Sequence, residues 1–237
     1  MNQKAKEMGA FEKIVGIFIS PKETFEAIDQ KPTWLVPFII MTVVVLGMTF
    51  LTMNIGLQDM VARFQAREMP QEQIDTIIAR SQGFGRYIQF ATIPVFMLLF
   101  WAILSGILLF SGNTILGGSS NFKKLFSMVA WSSLIGALAS AVHTAIVLSK
   151  GTTQGVTTSL AVFLPVPLLS DKPSFLYRLL SKFDIFTIWS LILWVIGISV
   201  LYKFSTKKAS GLILALWIIW IAVSITFGGL FGGAFGQ

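Results

Sequence analysis

His143 is the one titratable side chain deep inside the apolar part of this sequence, so the search for chemistry begins there. An imidazole can relay protons or ligate a metal, but each role needs partners. Cysteine is absent, which excludes thiolate metal ligands, cysteine nucleophiles and disulfides. The inner parts of the apolar blocks hold no Asp, Glu, Lys or Arg. His143 therefore has no carboxylate to complete a triad and no cluster to complete a zinc site. HExxH, GxSxG, a Walker loop and a Rossmann glycine pattern are all missing. Serine and threonine abound, but a hydroxyl without a base is a weak nucleophile. The reading is that the chain has no catalytic residues, no cofactor and no metal. An enzyme is not expected, and His143 is read as a helix-contacting residue.

The spacing of small residues does carry packing chemistry. Ser132, Gly136, Ser140 and Thr144 recur every four residues, beside a second row of Ser133, Ala137, Ala141 and Ala145. Such rows let helix backbones approach closely and let hydroxyls bond across the seam. They place the third apolar block at the centre of a bundle. Pro94, inside the second block, should kink or loosen that helix locally.

The elements that position these residues are five apolar blocks at about 34–53, 88–111, 125–148, 185–202 and 210–230. Blocks of roughly 18–24 residues at about 1.5 Å per residue match a hydrocarbon core near 30 Å. Mean hydropathy is +0.76, with 54% hydrophobic and only 12% charged residues. That balance defines an all-α integral membrane protein with five transmembrane helices. The net charge of +7 is scattered over membrane-flanking segments. It fits anionic lipid headgroups, and no nucleic acid is expected as a partner.

Orientation follows from the lysines. Lys4, Lys6, Lys13, Lys22, Lys31, Lys123, Lys124, Lys203, Lys207 and Lys208 share the side of the N-terminal segment. The opposite side has Arg63, Arg67, Arg80, Arg86, Lys150, Lys172, Arg178 and Lys182, spread over longer connections. The positive-inside rule then gives a multi-pass protein of the cell (inner) membrane, N-terminus cytoplasmic and C-terminus outside. No removable signal peptide is expected, and the first span would insert the chain.

Residues 1–33 form an N-terminal segment before the membrane domain of residues 34–230 and a Gly-rich tail at 231–237. Phe11, Ile14, Val15, Phe18 and Ile19 keep the rhythm of one helical face. Ser20-Pro21, with Glu23, reads as a capping box opening a second short helix that carries Phe25 and Ile28. Phe11, Ile14, Phe18 and Phe25 are candidates for anchoring this segment in the headgroup layer; docking on the bundle is the alternative. In the first outer connection, Leu57, Val61 and Phe64 predict one amphipathic helix, and Pro70 opens another through Ile74, Ile77 and Ile78. In the second, Ser159–Leu169 is too short to span and is read as interfacial or re-entrant. Phe175, Leu176, Leu179 and Leu180 predict a further helix there.

Several of these stretches, in order, resemble the Yip family of five-span membrane proteins. Ser20-Pro21 with Thr24, Phe25 and Ile28, then Pro32 and Pro37, carry the early part of the likeness. Phe122-Lys123-Lys124-Leu125-Phe126 opens the third span in the family manner. Phe183-Asp184-Ile185-Phe186-Thr187-Ile188-Trp189 is the strongest match, followed by Gly197 and Ser205-Thr206-Lys207-Lys208-Ala209. Eukaryotic members are Rab-GTPase interactors with a longer N-terminal region and Asp-Leu-Tyr-Gly-Pro and Gly-Tyr motifs, which this chain lacks. The resemblance therefore implies a bacterial member with its N-terminus inside. A membrane-protein partner is expected, an ABC-type transporter or a small GTPase, between which the residues do not choose. Within the motif, Asp184 is suited to cap the fourth span while Phe186 and Trp189 sit near the interface. The function expected is a non-enzymatic scaffold or adaptor. The alternative is a small permease lined by Ser132, Ser140, His143 and Thr144.

Overall fold

The computed structural model describes the backbone of residues 7–231 and the side chains of residues 7–226. Lys4, Lys6 and residues 232–237 lie outside that range. The described residues are helical, with no strand and one isolated antiparallel bridge between Ser159 and Asp184. The helices are α1 (Ala10–Ile19), α2 (Pro21–Gln30), α3 (Leu35–Ala66), α4 (Gln71–Gln82), α5 (Phe84–Phe110), α6 (Phe122–Ser132), α7 (Leu134–Lys150), α8 (Phe175–Leu180), α9 (Ile185–Tyr202) and α10 (Thr206–Phe231). A π-helical turn, Ser111–Ile115, continues α5, and a 3-10 turn covers Leu160–Phe163. Five helical stretches are long and apolar enough to cross a membrane: α3, α5 with its π turn, α6 with α7, α9 and α10. In the third of these, half of the most apolar window is buried, more than in any other.

Local sequence explains where the helices depart from expectation. The segment at Leu57, Val61 and Phe64 is not a separate helix; it prolongs the first span to Ala66. No proline interrupts it, and its apolar positions continue the helical spacing. The chain then turns through Glu68, whose φ is 56°, and Met69 N–H donates to the Phe64 carbonyl at 3.0 Å. Pro70 precedes α4, as its missing N–H favours.

The third span is likewise not one continuous helix. It breaks at Ser133, between α6 and α7. The Ser132 hydroxyl donates to the Met128 carbonyl at 2.8 Å and that of Ser133 to Ala130 at 2.7 Å. Hydroxyls bonded back onto the helix compete with its own ladder and bend it. Pro94, by contrast, leaves α5 unbroken.

At Ser20 the expected capping box does not form. Pro21 takes the first helical position, but the Ser20 side chain makes no cap. Thr24 Oγ1 instead donates to the Ser20 carbonyl at 3.0 Å. Ser159–Leu169 is a single 3-10 turn followed by extended chain, with Phe163, Val166 and Leu168 exposed.

The chain forms two compact units. The first contains residues up to Val43, Val95–Leu138 and Phe186–Ile218. The second contains Val44–Pro94, Ala139–Ile185 and the residues from Ile219.

Candidate interaction surface

In the first unit, α1 and α2 fold back on each other and pack against α6. Phe25 and Ile28 of α2 are fully buried. Phe25 Cε1 lies 3.5 Å from where a Cβ on Gly197 would stand, and Met128 closes the same space. Only glycine fits α9 at this crossing. Burying side chains of this size contributes about 1.5–3 kcal/mol each, enough to hold so short a helix in place. Asp29 pairs with Lys124 at 2.6 Å, and Trp131 Nε1 donates to the Thr33 carbonyl at 2.7 Å. Trp34, Phe38, Trp101 and Phe126 then meet edge to face at centroid distances of 5.6–6.2 Å, fixing the entry of the first span.

The anchoring residues divide. Phe11 is 76% exposed, and Ile14 and Phe18 are half-buried. Phe18 meets Trp189 edge to face at 6.0 Å. Phe25 leaves the anchoring set, because a side chain with no exposed surface cannot enter the headgroup layer. The side of α1 turned away from the unit is instead Phe11, Val15 and Ile19. Its inward side holds Gly16, Ile17 and Lys13. The Lys13 ammonium is 3.5 Å from the Lys31 carbonyl and 5.9 Å from the centre of the Trp131 ring. Burial pushes its pKa below the usual lysine range, and the like charge of Lys31 adds to the effect.

A second feature of this unit was not visible in the spacing of the sequence. Tyr202, the last residue of α9, donates to the Leu108 carbonyl at 3.3 Å and stacks on Phe204 at 5.0 Å. The π turn opens room for it: side chains on Gly112 or Gly118 would collide with the Tyr202 ring. Lys208 Nζ donates to the Leu116 carbonyl at 2.8 Å and lies 4.0 Å from the Phe204 ring centre. Lys123, Lys203 and Lys207 remain exposed. Gly112 and Gly118 are the sequence positions that signal this seat.

The small-residue ladder is split between the units. Ser132 is buried and Gly136 half-buried, with Met41 Cε 3.6 Å from a Cβ built there. In the second unit Thr144 is buried and Ser140 half-buried. His143 is exposed on α7.

The second unit is held by two carboxylates. Asp59 of α3 is buried and accepts from the Thr152 hydroxyl at 2.9 Å and the Thr153 hydroxyl at 2.6 Å, as well as from the Thr153 N–H. Sequence reading ended the span before Asp59 and so missed it. Asp184 accepts from the Thr158 hydroxyl, while Leu160 N–H donates to the Phe183 carbonyl at 3.1 Å. The Phe183-Asp184 end of the motif thus ties the 151–184 connection to the start of α9, and Phe186 is half-buried. Arg178 reaches the Ile225 carbonyl at 3.1 Å, and Lys182 lies 5.1 Å from the Trp220 ring centre. Burial and the neighbouring Arg178 lower the pKa of Lys182. Leu57, Val61, Ala62 and Ile78, with Gln58, Gln65 and Gln82, line an open groove of about 300 Å³ between α3 and α4. Among the described residues no group of three or more His, Asp or Glu stands close enough to hold a metal ion.

Residues 15–228 match the Yip1 domain, from within α1 to near the end of α10. The chain belongs to the Yip1 family. The resemblance drawn from Ser20-Pro21, Phe122–Phe126 and Phe183–Trp189 therefore holds, and this Yip1-family chain is a membrane protein. It is similar to the membrane protein YknW of Bacillus subtilis (strain 168), 26% identical over 221 residues, or 91% of this chain and 85% of that protein. No solved structure matches it.

Proposed function

We propose that this Yip1-family chain is a non-enzymatic scaffold or adaptor of the cell membrane that engages another membrane protein. Its N-terminus is cytoplasmic and its C-terminus outside, on the lysine distribution. The observation that carries the reading is the use to which the polar side chains are put. Asp29, Asp59, Asp184, Tyr202 and Lys208 each secure one segment of the chain to another. The surfaces left open are helix faces, a lysine-bearing edge and the α3–α4 groove. Surfaces of that kind suit contact rather than turnover. An ABC-type transporter or a small GTPase is the kind of partner expected. The permease alternative draws no support from Ser132, whose hydroxyl bonds to its own helix. Capture of the full-length protein from native membranes in mild detergent tests the reading. Recovery of one stoichiometric membrane-protein complex is expected. A chain that comes down alone and makes liposomes permeable to a defined solute would replace the adaptor with the permease.

A further inference from the structure

We infer that α1 is embedded in the acyl-chain layer of the leaflet on the N-terminal side, with the surface of that leaflet passing between α1 and α2. The lipid is thus a structural partner of one particular helix face.

α1 is apolar on its outward side as well as on the inward one, where Ile17 is fully buried. A helix lying on a protein in water turns its apolar stripe inward and its charges outward. Here Phe11 and Ile19 are each 76% exposed, with Val15 exposed between them. The lysine of the same helix is buried. Glu12, the outward charge of α1, sits in the first turn and accepts from the Gly9 N–H at 2.8 Å. The adjoining helix has ordinary polarity. It buries Phe25 and Ile28 and exposes Lys22, Glu23 and Gln30. Two neighbouring helices with opposite outward chemistry place a water–lipid boundary between them.

Continuity with the spans points the same way. Phe18 lies against Trp189, and α9 exposes Ile188 and Ile192, one turn apart on the face beside that tryptophan. The outward stripe of α1 thus extends the apolar surface of a membrane-crossing helix. Acyl chains are the occupant that meets both. One leaflet gains the volume of a helix, so its lateral packing presses on the α1–α2 seam, where Gly16 lies against Thr24.

The absence of native cysteine makes the test direct. Val15→Cys and Glu23→Cys, both at exposed positions, are made in the full chain and labelled with a nitroxide. Each is reconstituted in nanodiscs of phosphatidylcholine and phosphatidylglycerol. The ratio of oxygen to nickel-chelate accessibility should be high at Val15 and low at Glu23. A Val15 label open to the nickel chelate would put α1 in water and overturn the inference. A Val15 label shielded from both reagents would mean that protein covers the stripe. Dipolar broadening would then identify that protein as a second copy. Either result leaves the adaptor reading to its own experiment.

Discussion

Asp59 and Lys13 show at the scale of single residues how a membrane protein accommodates charge. Asp59 is buried because Thr152 and Thr153 bring it two hydroxyls and an N–H. Asp59→Ala would strand those donors, a loss of about 1–3 kcal/mol or more, since bonds to a charged acceptor are the stronger ones. Thermal unfolding of the purified variant in detergent should show the drop, and Asp59→Asn should recover part of it. Lys13 is the opposite case. Its folded pKa lies below the unfolded value because burial disfavours the ammonium. Between those two values the unfolded chain binds the extra proton, so stability rises as pH climbs through the folded pKa toward the ordinary lysine value. Below the folded pKa the full burial cost is present. Lys13→Met should therefore be at least as stable as the native chain at pH 7. The gap between the two should narrow toward pH 10. Paired melting curves from pH 7 to 10 measure it, and the difference cancels the titration of Lys182, which is common to both.

At the scale of elements, the crossing of α2, α6 and α9 decides how the N-terminal helices are held. A methyl group at Gly197 would meet Met128 Sδ and Cγ, whereas one at Gly211 of α10 meets nothing within 4 Å. Gly197→Ala should cost about 1–3 kcal/mol through overpacking. Gly211→Ala should be neutral or stabilising by up to about 1 kcal/mol, because alanine restrains the unfolded chain. Equal melting temperatures for the two variants would show that Met128 of α6 does not pack on α9 at Gly197. The split third span belongs to this scale as well. Its serines were legible as packing residues, but the helix interruption at Ser133 depends on where their hydroxyls turn, which spacing does not specify.

For the whole molecule, the lysines predict how the chain threads the membrane. Lys207, in the first turn of α10, and Lys172, in the connection before α8, are both exposed, and α9 separates them along the chain. In intact cells, Lys172→Cys should react with an impermeant maleimide added outside, and Lys207→Cys should react only after permeabilisation. The reverse pattern would invert the molecule and move the lysine-bearing edge outside. The labelling result bears on function, because that edge and α2 are then the faces a cytoplasmic partner meets.

Much of this architecture was determined by the sequence alone. Five spans follow from the length of uninterrupted apolar runs, a local property that no distant contact can hide. Pro21 and Pro70 likewise mark helix starts through their own backbone constraint, and the apolar spacing of Phe175, Leu176, Leu179 and Leu180 marks α8. Periodicity also located an apolar stripe on α1. Only the tertiary structure decided that this stripe faces outward while Phe25 faces in. Lipid and protein interior are equally apolar, so a hydrophobic pattern cannot tell which of them covers a face. The same limit hid Asp59 and Tyr202. Their partners lie 93 and 94 residues away along the chain, and only folding brings those donors and acceptors together.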